Sequence, residues 1–585
     1  MIACWINGAY WVTKLNSFIY KGNLVRYLAG YRKAIGWACR QTVYHTLRMG
    51  IFRVRFPAGP PDMNIYNSLT RKKEKFMPVG SAGVGVYTCG PTVYDYVTIG
   101  NWRTYILGDL LVRTLGYQGY SVDYIMNITD VGHLTGDNLG DASTGEDRME
   151  KASEREGKNA WKIAEFYSSD FKRGYKKLNL VEPKSFCEAT KHIKVQIELI
   201  KAIEKNGYTY RIDDGIYFDV QKYSQNGYKY GKLSTLDKIK PGARVELNLR
   251  KKDPRDFALW KFTVPGSGPR RQMEWYFDGP LSGNLADSKS LEELKKRGHV
   301  EDNWVATIGF PGWHIECSAM SLKYLGNAFH DRQFHAEQSR TIDIHIGGED
   351  LKSTHHPNEI TQSEAATGKH PFVKYWMHGA FLLADGGRMG KSLGNAYNLH
   401  DLDEKGYDAM VLRYFYLTAH YRRPQNFTWM ALDGAQNAWE KLKNKLEELK
   451  SEDSKFSDPG DNPPAGGATP EMLAIGDKYQ QAFDNYLNND LDMPGVLSVL
   501  WSMLKDKKLT NKARYELFSR WNMVLGFVFP KIGKTPSAVS KLAEEREKYK
   551  EKKNYSKADE IRSQIEKLGY TIEDSRFGPK LNRKK

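Results

Sequence analysis

Apolar residues run unbroken from Val84 to Tyr87, the pattern of a short strand buried on both faces. A Gly-Pro turn follows. From about Trp102 to Gly116 the apolar positions Ile106, Leu107, Leu110, Leu111 and Leu115 recur at spacings of one, three and four, which gathers them on one broad helical face. Ser121 to Ile128 reads as a second strand. The strand–turn–helix–strand unit places Gly100 and Asn101 at a helix N-terminus, where free backbone N–H groups and the helix dipole favour anions. A glycine there lets a planar ring or a phosphate approach the backbone.

Further along, the polar stretch Asp137 to Gly157 reads as a loop and Ala160 to Leu178 as a helix. Lys/Gly-rich turns and short strands, Gly215 to Val220 among them, mark 190–308 as an insertion. Ile342 to Ile346 is predicted as a strand, His355 to Ala366 as a helix and Tyr375 to Leu383 as a strand. Beyond Asn395 the pattern is helical, broken by a Pro/Gly/Ser/Asp-rich connection at 451–470. The final stretch reads as a charged helical hairpin ending in Arg583-Lys584-Lys585. The fold class expected is α/β: a Rossmann-like parallel-sheet core in two halves, 63–189 and 309–395, split by the 190–308 insertion and followed by an α-helical bundle. The helical part divides into 396–430, 431–530 and 531–585.

Composition narrows the function classes. The 585 residues carry a net charge of +17, which points to a polyanionic partner such as nucleic acid. No segment has the roughly 18 uninterrupted apolar residues of a membrane span. The cysteines at 4, 39, 89, 187 and 317 are sparse and odd in number, which argues for a reducing, cytoplasmic setting and against a disulfide framework. Residues 1–62 differ from the rest, with nine basic residues against one acid, Asp62, and no sustained period. They read as an extension upstream of a natural start at Met63, in preference to a transit peptide, which would be richer in serine.

Two sets of residues offer chemistry. Cys89 lies in the turn after the first strand, Cys317 in Gly312-Trp313-His314-Ile315-Glu316-Cys317-Ser318-Ala319-Met320, and His355 and Glu359 stand four apart on one helix face. Thiolate, imidazole and carboxylate together suit Zn²⁺. Spacing alone leaves open that each cysteine is a buried small hydrophobe and that His355 and His356 line a polar helix face. The second set is Gly386 to Asn395, where glycines permit a mobile loop and Arg388 and Lys391 put two cations on it. Such a loop can close over a polyphosphate; alone, it is also an ordinary basic turn.

Taken together, the motifs resemble the class I aminoacyl-tRNA synthetases and, within them, the cysteinyl-tRNA synthetase family. The residues that carry the resemblance are Tyr87-Thr88-Cys89-Gly90-Pro91-Thr92-Val93-Tyr94-Asp95, Asn127-Ile128-Thr129-Asp130, the 312–320 stretch, His355-His356-Pro357-Asn358-Glu359, Phe483 to Pro494 and Lys557 to Arg562. The resemblance implies one Zn²⁺ held by Cys89, Cys317, His355 and Glu359, with Trp313 walling the cysteine pocket and Thr129 and Asp130 near the amino acid's polar end. It implies that ATP, with Mg²⁺, lies against Gly100, Gly347, Gly348, Asp350 and Lys391. Thr98, Gly100, Asn101, Arg388, Lys391 and Ser392 would serve catalysis. The partners implied are L-cysteine, ATP and the cysteine tRNA, whose stem would meet 396–430 and whose anticodon would meet 431–530 and the basic 531–585. The enzyme implied is a monomer. Thr98 stands where the family has histidine, and the 388–392 loop keeps only the second lysine of the family's KMSKS signature. The segment between Cys317 and His355 is also longer than usual, by an insertion around Ala328 to Arg340.

Overall fold

An apolar strand needs cover on both faces, and the order of elements around Val84 supplies it. The computed structural model describes residues 62–81, 83–133, 147–233, 250–263, 271–277, 308–390, 393–453, 469–529, 537–575 and 578–583. A hairpin, β1 (Asn64–Asn67) and β2 (Lys72–Lys75), leads into β3 (Val84–Thr88). Helix α1 (Ile99–Tyr117) begins three residues ahead of the predicted Trp102, because Thr98 is extended and its side chain accepts from the Asn101 N–H. A cap of this kind contributes about 1 kcal/mol. β4 (Val122–Ile128) then pairs with β3 in parallel.

The loop expected from Asp137 to Gly157 is corrected over its second half, its first half lying outside the described residues. Arg148–Glu156 is a helix, α2, capped by Asp147, which accepts from the Met149 and Glu150 N–H groups, and ended by Gly157 at φ 62°. Only Met149, Ala152 and Ser153 face inward, too few to show as a periodic run in so polar a stretch. α3 (Ala160–Lys177) and β5 (Ser185–Glu188) complete the first half.

Helix α4 (Ile193–Lys205) leads to β6 (Thr209–Ile212), β7 (Gly215–Phe218), a short α5 (Val220–Gln225), β8 (Phe257–Phe262), β9 (Trp275–Tyr276) and β10 (Ile308–Pro311). These strands form an antiparallel sheet of order β6-β7-β8-β10-β9, built around buried Trp260.

The main sheet resumes after α6 (Trp313–Tyr324). A small hairpin, β11 (Phe329–His330) and β12 (Gln333–Phe334), turns through Asp331 and Arg332, both at positive φ, within the expected 328–340 insertion. β13 (Ile342–Gly348), α7 (His355–Thr367) and β14 (Val373–Gly379) follow. The order is β14-β13-β3-β4-β5, all parallel. Because the two halves extend to opposite sides of β3, the crevice at the carboxyl ends of β3 and β13 is a topological switch point, where open α/β sheets hold ligands.

The single strand expected from Tyr375 to Leu383 is two. β14 stops at Gly379 and β15 (Leu382–Ala384) starts a new sheet, because Arg103 of α1 reaches between them and donates to the carbonyls of Ala380 (2.7 Å) and Phe381 (2.9 Å). β15 turns through Asp385 and Gly386, both at positive φ as a two-residue hairpin requires, into β16 (Gly387–Arg388).

The helical part comprises α8 (Leu399–Glu404), α9 (Ala409–Leu417), β17 (Gln425–Phe427), α10 (Trp429–Asp453), α11 (Pro470–Asn488), α12 (Met493–Lys505) and α13 (Asn511–Leu525). Arg413 of α9 is fully buried. It pairs with Asp109 of α1 and donates to the carbonyls of Leu525 (2.7 Å) and Leu178 (3.0 Å), tying helix to core.

Residues 528–585 form a separate compact unit. α14 (Ser537–Glu551) and α15 (Tyr555–Lys567) make the expected helical hairpin, but the chain then departs from expectation and continues as strands β18 (Tyr570–Ser575) and β19 (Gly578–Arg583). Gly569 at φ 82° ends the helix, and Ile572 joins Val539, Ala543, Ile561 and Ile565 in the unit's core, with Leu581 packed against it.

Candidate metal centre and active site

The carboxyl end of β3 delivers Cys89, whose N–H bonds the Ile346 carbonyl at 3.0 Å and so carries the β3–β13 ladder one step past the strand. The next residue must be glycine, because a Cβ at Gly90 would collide with the Asn127 carbonyl oxygen. Cys317 comes from the second turn of α6; His355 and Glu359, from the first turns of α7. The sequence-predicted set does converge. Cys89 Sγ lies 3.8 Å from Cys317 Sγ and 3.7 Å from Glu359 Oε1, and His355 Nε2 lies 3.0 Å from Glu359 Oε1. The four ligand atoms all fall within 4.8 Å of one another, and all four residues are buried.

The chemistry of this group fits a divalent cation. Burial holds the Cys89 thiol and the Glu359 carboxyl well above their ordinary values. Glu359 Oε2 is buried without a hydrogen-bond partner. Two thiols and a carboxyl so desolvated ionise together only against positive charge. Two sulfurs, one imidazole nitrogen and one carboxylate oxygen make a four-ligand set that zinc accepts. His355 is aimed by His314, whose Nδ1 stands 2.9 Å from His355 Nδ1 and leaves Nε2 facing Glu359.

Three histidines lie beneath: His345 and His378, which the sequence reading missed, and His356, which it left on a polar helix face. His345 Nε2 and His356 Nε2 approach Cys89 Sγ at 3.3 and 3.4 Å, so that Cys89, His345, His356 and Glu359 form a second group of potential ligands sharing two members with the first. His356 Nδ1 bonds His378 Nε2 at 2.7 Å, and His378 Nδ1 bonds Ser68 Oγ at 2.8 Å. Burial depresses all three well below the ordinary histidine value, so they are neutral. The sequence offers little signal for them: His345 shares its strand with a second polar residue, Asp343.

Around the cluster, the Trp313 ring packs 4.4 Å from the His355 ring and stays half-buried, as a pocket wall would. Thr129, just past β4, donates to Glu316 Oε2 at 2.8 Å. Asp130 points away from Thr129's partners and has both oxygens on Thr190, at 2.8 Å to its N–H and 2.5 Å to its hydroxyl.

At the carboxyl end of the sheet, Gly347 and Gly348 end β13, and a Cβ at Gly347 would strike the His356 ring. Asp350 follows them, exposed. Thr98 donates to Asn101 Oδ1 at 2.7 Å, so the hydroxyl proton is engaged within the helix cap. The two signature motifs meet here. A Cβ at Gly100 would lie 3.4 Å from Met389 Sδ. Asn395 braces that loop, accepting from the Gly390 N–H and donating to the Arg388 carbonyl, and Arg388 is exposed beside it. Lys391 and Ser392 lie outside the described residues.

A family model described as the class I (C) tRNA synthetase catalytic domain matches residues 75–281 and 290–437. A cysteine–tRNA ligase of Treponema denticola is 38% identical over 533 residues, covering 88% of this chain and 98% of its own length. Cysteine–tRNA ligase 1 of Burkholderia lata is 39% identical over 526 residues, at 88% and 96% coverage, and a cysteine–tRNA ligase of Thermus thermophilus is 34% identical over 534, at 88% and 98%. With these relatives matched nearly end to end and the four motif residues gathered in one buried cluster, the chain belongs to the cysteine–tRNA ligases of the class I tRNA synthetases.

Proposed function

We propose that this ligase selects cysteine through a Zn²⁺ held by Cys89, Cys317, His355 and Glu359. The convergence of these four buried side chains, from three separate elements, is the observation that carries the reading. When bound, the ion supplies a soft Lewis-acid site that prefers the substrate's thiolate to the hard hydroxyl of serine. A site built around one specific bond rejects the analogue lacking it by about 10⁴–10⁵, without editing. Trp313 flanks the side chain, and Thr129 faces the amino acid's polar end. Asp130 acts at that end only through Thr190, given where its oxygens are spent.

ATP, with Mg²⁺, lies across the start of α1 and the Gly347-Gly348-Glu349-Asp350 turn. Arg388 and Lys391, with Ser392, Thr98, Gly100 and Asn101, hold and polarise the phosphates while the cysteine carboxylate attacks the α-phosphorus and pyrophosphate leaves, giving cysteinyl-adenylate. This is catalysis by positioning and charge. The cysteinyl group then passes from the adenylate to a ribose hydroxyl at the 3′ end of the cysteine tRNA, and AMP leaves. In this reading 63–189 and 309–395 are the catalytic core and 190–308 its insertion. Residues 396–430 meet the tRNA stem, and 431–530 with 531–585 meet the anticodon arm. The enzyme acts as a monomer in the reducing cytoplasm, and among the described residues no helix is long and apolar enough to cross a membrane.

The test is metal content with discrimination. One Zn²⁺ per chain is expected to copurify, and Cys317→Ser is expected to weaken its retention and erode preference for cysteine over serine in pyrophosphate–ATP exchange. Stoichiometric zinc in a variant lacking all four ligands would reject the site.

A further inference from the structure

Cys89 and Cys317 sit on different elements, 228 residues apart in sequence, yet both thiols must reach one point. The N–H of Cys89 is spent on β13, which leaves open what fixes the cysteine turn against α6. A chain of hydrogen bonds runs between the immediate neighbours of the two cysteines. The Gly90 N–H donates to Asn127 Oδ1 (2.8 Å), Asn127 Nδ2 donates to Thr129 Oγ1 (3.1 Å), and Thr129 Oγ1 donates to Glu316 Oε2 (2.8 Å). The other carboxylate oxygen, Glu316 Oε1, lies 2.7 Å from His133 Nε2. Glu316 and Asn127 are 0% and 1% exposed, Thr129 1% and His133 3%.

We propose that Glu316 is a positioning residue for the metal centre: through Thr129 and Asn127 it sets the distance between the Cys89 turn and the Cys317 helix. The proposal rests on the zinc reading above. Its physical basis is that a buried carboxylate is costly unless every oxygen is occupied, and here both are. The helix makes the arrangement possible. Successive residues on α6 point about 100° apart, so Cys317 faces the cluster while Glu316 reaches sideways to the end of β4. Glu316 does not touch the ligand atoms; it acts through the frame that holds them, as partners outside a metal's ligand set do.

The test uses the full chain loaded with Zn²⁺ and follows zinc release into excess chelator. Thr129→Val keeps the shape and breaks the chain; Glu316→Ala removes its end. Each is expected to speed zinc loss about tenfold or more, the usual effect of removing such a partner. The double variant is expected to be no faster than the single ones, since both cut one chain. Thr129→Ser and Glu316→Gln are expected near the wild-type rate. The first restores the hydroxyl; the second keeps a carbonyl for Thr129 and an amide group facing His133 Nε2. Melting of the metal-free variants separates positioning from general damage, and a wild-type melt with faster release supports positioning. Wild-type release from Thr129→Val, additive effects in the double variant, or failure of both conservative variants to restore retention would overturn the proposal. A wild-type chain that binds no zinc would instead remove the metal reading and the proposal with it.

Discussion

Thr98 shows how a residue's partners revise its part in the chemistry. Its oxygen accepts from the Asn101 N–H at 3.4 Å and its proton goes to Asn101 Oδ1, so it stands first as a helix cap. Thr98→Val is expected to cost about 1 kcal/mol of stability from the lost cap. A catalytic part requires the hydroxyl proton to turn from Asn101 to the phosphates once ATP is bound, and in that case the same variant is expected to slow single-turnover adenylation roughly ten- to a hundredfold, the worth of one hydrogen bond to a charged group. Adenylation at wild-type speed would leave Thr98 a cap only. Asp130 gives a pH signature. Burial pushes its carboxyl up to about 6, above the ordinary carboxylate range. The folded state therefore keeps a proton that the unfolded state releases between about pH 4 and 6, and stability contributed by that proton is present below this window and lost as pH rises through it. A shift of this size corresponds to about 3 kcal/mol. Urea unfolding at pH 4.5 and 6.5 is expected to show a steeper fall for wild type than for Asp130→Asn; parallel slopes would place the titration elsewhere.

At the scale of the element, α1 does more than present its N-terminus. Its apolar face is buried, and so are two charged residues. Arg103 separates β14 from β15, with further bonds to the His420 and Arg423 carbonyls, and Asp109 is paired by Arg413 and by Arg113 at 2.9 Å. The same helix thereby locates the start of the β15–β16 hairpin, which carries Arg388, and anchors the α13 end of the bundle. Removing one partner of a buried pair leaves an uncompensated charge, so Arg413→Met is expected to destabilise the chain by about 3–5 kcal/mol by denaturant unfolding. A loss under about 1 kcal/mol would mean that Arg113 suffices to satisfy Asp109.

For the whole molecule, the division of labour is testable by removing parts. The unit from Val528 to Lys585 has its own core of two helices and a β-hairpin. Its deletion is expected to harm tRNA charging far more than pyrophosphate–ATP exchange, because basic surface contacts with RNA backbone contribute to tRNA binding and not to adenylation. Equal loss of both would deny the division. Residues 1–61 lie outside the described residues and no motif falls within them. A chain starting at Met63 is expected to fold and charge tRNA at the full rate, and an insoluble or inactive product would assign the extension to the enzyme.

What the sequence alone determined was local or covalent: strands with unbroken apolar runs, the β3–α1–β4 unit, and the four candidate ligands, each tied to a short motif whose neighbours are fixed by the chain. Misreadings arose where local pattern is silent. α2 buries too little apolar surface to show a period, β18 and β19 hide in a charged tail, and β14 and β15 are divided by an arginine from a helix 277 residues away in sequence. The histidine layer under Cys89 and the Glu316 chain were illegible for the same reason. Most of these hydrogen bonds join residues tens to hundreds of positions apart, and neither composition nor periodicity records which distant side chains the parallel sheet brings to one edge. The sequence determined which groups were available for chemistry; only the tertiary structure decided which of them meet.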